Sequence, residues 1–256
     1  MKVIKYIEKP KLKSPILVEG LPGIGNVGRI SASYLVDKLK AKKFAEFYSS
    51  EFFPSVIVNK DGVARLMKIE FYYYKGKNDI IIVVGDSQAM TPEGYYNISE
   101  GILEVAKKFN VKMIITLGGL GREDVTKSPR IIGAVNDEKL IKKFKKYDII
   151  FDGNILNTIV GVSGLLIGMA KIKNIDAICL LAETAGFPIV IADPIGAEAL
   201  LKTLSKILDI EIDLSELTRD AKELEKKLIK TEEMQRKMLE KILTPEEEKK
   251  DLEYIG

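Results

Sequence analysis

The chain reads as an α/β protein whose mixed β-sheet is flanked by helices, and three features carry that reading. A short apolar run at residues 14–19 leads at once into the glycine loop GLPGIGNVG and then into a segment with apolar residues at helical spacing. From residue 92 onward, helical patterns and apolar runs alternate, which is the rhythm of parallel βα units. Between these parts lie three strand-like runs joined by short turn-rich connections. Parallel crossovers need a dozen or more residues, so these connections make antiparallel hairpins and the sheet is mixed.

Taken in order, SPILVE is the first strand and GLPGIGNVG the turn after it. Residues 29–40 follow as a helix, with Ile30, Tyr34, Leu35 and Leu39 on one side. Residues 55–58, 63–74 and 79–84 are the hairpin strands, separated by Asp61-Gly62 and by Lys75-Gly76-Lys77-Asn78. Residues 92–109 form a helix with Thr91 as N-cap and Pro92 at its first position, where a missing N–H costs nothing. A buried strand at 111–117 ends in the loop GGLG at 118–121. A short helix at 136–146 and a short strand at 148–151 come next. Residues 154–171 are apolar on nearly all faces and predict a buried helix. The strand at 175–182 runs into ETAGFP, and residues 194–208 form a helix with Leu200, Leu201, Leu204 and Leu208 aligned.

Composition changes near Leu214, which predicts a body over 1–213, a charged amphipathic helix over 214–243 and a flexible tail over 244–256. From Ser215 onward 22 of 42 residues are charged, against 55 of the 214 before. Leu214, Leu217, Ala221, Leu224, Leu228, Met238 and Ile242 step by threes and fours, interrupted at Thr231 and Gln235. Such a stripe on a solvated helix needs a partner. Thr244-Pro245 stops it, because proline biases its predecessor toward extended geometry.

Absences narrow the chemistry. With no His, this chain holds no Ser-His-Asp triad, Cys-His dyad or imidazole base. Its single Cys179 makes no intrachain disulfide, and its apolar setting in IDAICLLAE predicts an inert core thiol. A net charge of +3, from 40 basic and 37 acidic residues, gives no drive toward nucleic acid or a membrane surface. No apolar run reaches the roughly 18–20 residues of a membrane span, and MKVIKYIEKP lacks a signal-peptide core, so a cytoplasmic protein is expected.

Gly23-Ile24-Gly25-Asn26-Val27-Gly28 satisfies G-x-G-x-x-G between a strand and a helix. Glycines there let backbone amides approach a pyrophosphate, and the helix N-terminus favours the anion. A dinucleotide site also needs a second parallel strand ending in a ribose-binding acid. Here the chain enters hairpins, and Glu46 sits inside FAEFYSSEFF. Two other readings stand: the glycines serve a tight turn and close helix–sheet packing, or the loop takes a smaller anion with help from Asn26 and Arg29. Asp86, Glu183 and Asp193 each follow an apolar run, where α/β folds collect ligand groups; a pair of them could hold magnesium or move a proton. Arg122-Glu123-Asp124 suits an anion or a solvated loop. Tyr72-Tyr73-Tyr74 alternates faces along a strand, so at least one ring is expected to face out, as at an interface.

GLPGIGNVG at 20–28, GDSQ at 85–88, TLGGLG at 116–121 and LLAETAGFPIVIADPIGAEALL at 180–201 together resemble the archaeal branch of the proteasome assembly chaperone family. The resemblance runs in order through most of residues 1–210. It implies a fold similar to nucleoside phosphorylases without a catalytic activity or cofactor. It also implies homo-oligomers that engage the α subunits of the proteasome core particle, in assembly or as an ATP-independent activator. Docking tails of that kind end hydrophobic–Tyr–any residue. This chain ends Leu252-Glu253-Tyr254-Ile255-Gly256, with Tyr254 one place off that register, and an apolar tip with a free carboxylate still suits a pocket between subunits. Leu252, Tyr254, Ile255 and Gly256 are therefore the expected partner contacts. The alternative is a phosphate- or nucleotide-binding enzyme using Gly23, Gly25, Asn26, Gly28 and Arg29.

Overall fold

Among the described residues nine strands form one mixed sheet, and helices cover both of its faces. The structure, a computed structural model, describes residues 1–122, 128–185 and 192–220. The strands are β1 Lys2–Tyr6, β2 Ile16–Gly20, β3 Lys42–Ser49, β4 Val56–Val58, β5 Ala64–Leu66, β6 Ile69–Tyr74, β7 Ile80–Gly85, β8 Met113–Arg122, β9 Ile131–Val135, β10 Ile149–Ile150 and β11 Asp176–Ala185. The helices are α1 Val27–Lys38, α2 Pro92–Lys108, α3 Lys139–Phe144, α4 Val162–Ile172 and α5 Pro194–Leu208. The sheet order is β1-β3-β6-β7-β2-β8-β11-β9-β10, while β4 and β5 pair separately as a two-stranded ribbon.

The centre of the sheet is parallel. β2 lies between β7 and β8, with Ile16 opposite both Ile80 and Met113, and β8 continues in parallel beside β11. The β1, β3 and β6 side is antiparallel, as the short connections require. Strands covered on both faces must be apolar on both, and β2 is buried throughout. Leu17, Phe47, Phe71 and Ile81 face a layer made by α2 and α4. Val18, Ile80, Ile82 and Leu117 face α1 and α5.

Local chemistry starts and stops the helices. Thr91 accepts a hydrogen bond from the Gly94 amide at 3.0 Å, with Pro92 in the first turn of α2. Asp193 accepts from the Ile195 and Gly196 amides, both at 2.9 Å, ahead of Pro194 in α5. Asn110, Asn174 and Asp209 close α2, α4 and α5 with φ of 52°, 57° and 54°. Asn and Asp tolerate this left-handed geometry better than other non-glycine residues.

Several elements differ from expectation. Residues 42–49 form β3, a strand with Glu46 at its middle, and β1 and β9 are strands that composition did not signal. Residues 118–121 are not a loop: β8 runs through them because β11 pairs with it up to Ala185 opposite Arg122. The helix expected from 154 begins only at Val162, after Gly161 turns the chain at φ 94°. The strand expected over 63–74 is broken in two, so that its first part joins the ribbon. The α3 helix is shorter than the 136–146 span. None of the three tyrosines is exposed: the Tyr72 hydroxyl donates to Glu70 at 3.0 Å, Tyr73 packs edge-on to Phe44, and Tyr74 leans on the α1 side of the core. Residues 215–220 are helical with Leu217 buried on the body; the remainder of the 214–243 segment and the 244–256 tail lie outside the described residues. Among the described residues no helix is long and apolar enough to cross a membrane.

Candidate functional site

The parallel strands change winding direction between β2 and β8, and in such sheets ligands gather at that point beyond the strand ends. The glycine loop stands there. After Gly20 the chain makes a 3-10 turn at Ile24–Asn26, with Gly25 at φ 59° and Asn26 at φ 49°. The Asn26 amide donates to the Gly23 carbonyl at 3.0 Å, and the Asp193 amide donates to the Gly25 carbonyl at 2.7 Å. The loop is thus tied to the start of α5.

Its glycines are consumed by packing. A Cβ on Gly28 would sit 2.2 Å from the Leu117 carbonyl oxygen, and one on Gly20 would sit 2.2 Å from that of Gly28. These contacts bring α1 down onto β8. A Cβ on Gly25 would meet the Thr184 hydroxyl at 2.9 Å and the Asp193 side chain at 3.2 Å. That side of Gly25 therefore packs against a hydroxyl and a carboxylate-bearing side chain. Arg29 points to solvent, and its charge acts on Asp86.

Beside the loop is a cavity of about 350 Å³ walled mainly by Leu21, Ile24, Tyr95, Leu117 and Ile159. Its polar side chains are Gln88, Tyr95, Thr158 and Ser163, and among the described residues no lysine or arginine lines it. Gln88 is committed to the framework: its amide nitrogen donates to the Pro22 carbonyl, and its oxygen accepts from the Val162 amide at 3.0 Å. Behind Ser163 lies Glu19, fully buried, which accepts from the Ser163 hydroxyl and the Leu21 amide, each at 3.0 Å. Burial pushes the Glu19 carboxyl up to about 7, against the lowering effect of those two hydrogen bonds. Sequence reasoning missed Glu19. The signal was a lone acid at the end of the apolar run ILV, directly before the glycine loop.

The three other carboxylates do not converge. Asp86 forms a two-pronged ion pair with Arg65 at 2.6 and 2.9 Å and accepts from the Lys68 amide. Burial would raise its carboxyl, but Arg65 outweighs that and holds it below the ordinary range. Glu183 is gripped by Arg130 at 2.6 and 2.9 Å, which lowers it too, with Arg122 3.7 Å away. Asp193 caps α5 and accepts from the Thr184 hydroxyl. Among the described residues no three His, Cys, Asp or Glu stand together as a metal set. Cys179 is fully buried, and burial pushes its thiol up to about 12, far from a reactive thiolate. Glu123 and Asp124 lie outside the described residues, as do Leu252, Tyr254, Ile255 and Gly256.

These features define a class: a mixed α/β protein whose glycine loop is packed against the sheet at the switch point, with Asp86 and Glu183 held in ion pairs and Asp193 in a helix cap. The chain belongs to the PAC2 family, whose model matches residues 17–232. Among solved structures it is similar to PbaB of Pyrococcus furiosus, described as an archaeal proteasome activator, at 38% identity and TM-score 0.85 over 90% of this chain and 98% of that one. It is also similar to Pyrococcus furiosus PbaA, described as an archaeal homolog of proteasome-assembly chaperone, at 26% identity and TM-score 0.72 over 93% and 95% of the two chains. An uncharacterized Methanocaldococcus jannaschii protein, MJ1210, is 37% identical over 255 residues, 99% of this chain and 96% of that protein.

Proposed function

We propose that this protein is a non-enzymatic, self-associating cytoplasmic partner of the proteasome core particle that engages its α-ring as an ATP-independent activator or assembly chaperone. The observation that carries the reading is the match to Pyrococcus furiosus PbaB, an archaeal proteasome activator, along nearly the whole of both chains. Glycines spent on close packing at 20, 25 and 28, and a neighbouring cavity whose described lining carries no charged side chain, fit a scaffold better than a phosphate-handling enzyme. Residues 252–256 supply the contact, with Leu252, Tyr254 and Ile255 as apolar anchors and Gly256 beside them.

The test uses the full-length chain. Purified core particle or isolated α-rings are passed over the immobilised protein, and peptide hydrolysis by the core particle is followed with and without it in the absence of ATP. Retention with faster hydrolysis identifies an activator. Retention with faster ring formation from separate α subunits identifies a chaperone. Absence of retention at micromolar concentration overturns the reading.

A further inference from the structure

The β4–β5 ribbon presents one apolar face to solvent. Val56 pairs with Leu66 and Val58 with Ala64, so these four side chains share a face. All four are exposed, and Val56, Val58 and Leu66 show 51%, 61% and 51% of their surface. The opposite face carries Ile57 and Arg65, both half-buried toward the body. Arg65 holds the ribbon there through its paired hydrogen bonds to Asp86, whose own amide donates to the Lys68 carbonyl at 3.0 Å. The ribbon therefore cannot roll over to hide its valines without breaking a half-buried ion pair.

The apolar surface continues beyond the ribbon. Met1 and Phe53 are each more than half exposed. An open groove of about 550 Å³, walled by Met1, Phe52, Pro54, Val56 and Leu66, runs alongside. The exposed parts of Met1, Phe53, Val56, Val58 and Leu66 amount to on the order of 500 Å², toward the upper end of what a monomer leaves bare and more than half of the ~800 Å² per partner of a specific interface.

We propose that this face is where two copies of the chain meet, ribbon against ribbon about a two-fold axis. The inference rests on the self-association included in the function proposed above and assigns it a surface. A two-fold contact requires a patch complementary to itself, and a uniformly apolar face meets that condition where a single-sign charged face would not. The turn at the ribbon's tip carries Lys60 beside Asp61, so each copy brings both signs to the rim. Contacts between identical chains are also the most apolar class of interface, as this face is.

The test is Val58→Glu combined with Leu66→Glu. Both side chains already face water, so far-ultraviolet circular dichroism and the melting temperature should stay near wild type. The light-scattering mass should be at least twice 28.6 kDa for the wild type and fall to half of that mass or less in the variant. A second variant, Val58→Cys, should give a covalent dimer on oxidation with diamide, because the only native thiol, Cys179, is buried. A monomeric wild type, or a double variant that keeps its mass while Val58→Cys fails to cross-link, overturns the proposal. Retained mass with lost α-ring binding overturns it as well and assigns the face to the ring. Lost mass in a protein whose wild type never binds α-rings leaves this inference standing and removes the proposed function instead.

Discussion

The α-carbon of Gly28, in the first turn of α1, rests against the main chain of Leu117 in β8, leaving no room for a side chain between helix and sheet. Gly28→Ala would place its Cβ 2.2 Å from a carbonyl oxygen, and neither partner is the flexible end of a side chain. We expect a loss of about 2–3 kcal/mol in chemical denaturation. Gly23→Ala should be nearly neutral, because its nearest neighbour is the Gln88 amide nitrogen at 3.7 Å and its backbone is extended. A phosphate-binding loop would instead show unchanged melting together with lost ligand binding.

Glu19 should leave a signature in the pH dependence of stability. Its carboxyl titrates near 7 in the folded chain and near the ordinary ~4.3 when unfolded, so in between the native state holds more protons. Stability contributed by this group is present below the unfolded value and is lost as pH rises through about 7. Denaturant midpoints measured from pH 5 to 8 should fall by the equivalent of about 2–3 kcal/mol from this source. Glu19→Gln, which keeps a hydrogen-bonding side chain facing Ser163 and Leu21, should flatten that slope and match or exceed wild type at pH 8.

Glu46 behaves in the opposite sense. Burial would raise it, but Lys68 at 2.5 Å, Lys43 at 2.9 Å and the Tyr48 hydroxyl at 2.9 Å outweigh burial and hold it at about 2. Its contribution is present above the unfolded carboxylate value and is lost as pH falls toward 2. Glu46→Gln should cost on the order of 1–3 kcal/mol at neutral pH and little at pH 2.5, read by denaturation at the two values.

Cys179 should be silent toward thiol reagents in the folded protein. Its sulfur is buried in β11 with the thiol pushed to about 12. Ellman titration should count no reactive thiol natively and one after unfolding in guanidinium. A fast native reaction would refute the placement of β11.

Deleting residues 252–256 should leave the melting temperature and the oligomeric mass unchanged, since the EEEKKD run before them is too charged to belong to a core. Core-particle binding should fall at least tenfold, and Tyr254→Ala should reproduce most of that loss. Undiminished binding by the truncated chain would move the contact to the body.

The frame of this fold was legible where periodicity and punctuation agree. Thr91 ahead of Pro92 marked one helix start, and the leucine spacing over 194–208 marked another helix, and the structure keeps both; the cap that Asp193 makes on the second was not legible. What stayed hidden was set by pairing across the sheet. Gly118 and Gly119 carry turn composition, yet Leu181 and Ala182 lie opposite them and draw them into β8. The polar assignments were hidden for the same reason. Nothing near Asp86 or Glu183 in sequence announces Arg65 or Arg130, 21 and 53 residues away. The packing reading of the glycine loop needed the distance from Gly28 to Leu117, which local sequence does not contain.

The order of the strands has a consequence for how the chain is made. Five adjacent strands, β1, β3, β6, β7 and β2, come from residues 2–85, and the other four come from residues 113–185. The two blocks meet along a single seam, where Ile16–Glu19 lies beside Met113–Thr116. During synthesis the first block is complete while β2 still has one side unpaired, an apolar edge open to any extended segment until residue 113 and its neighbours leave the ribosome. Closing that seam is a long-range step after two more local ones, and it should set the refolding rate.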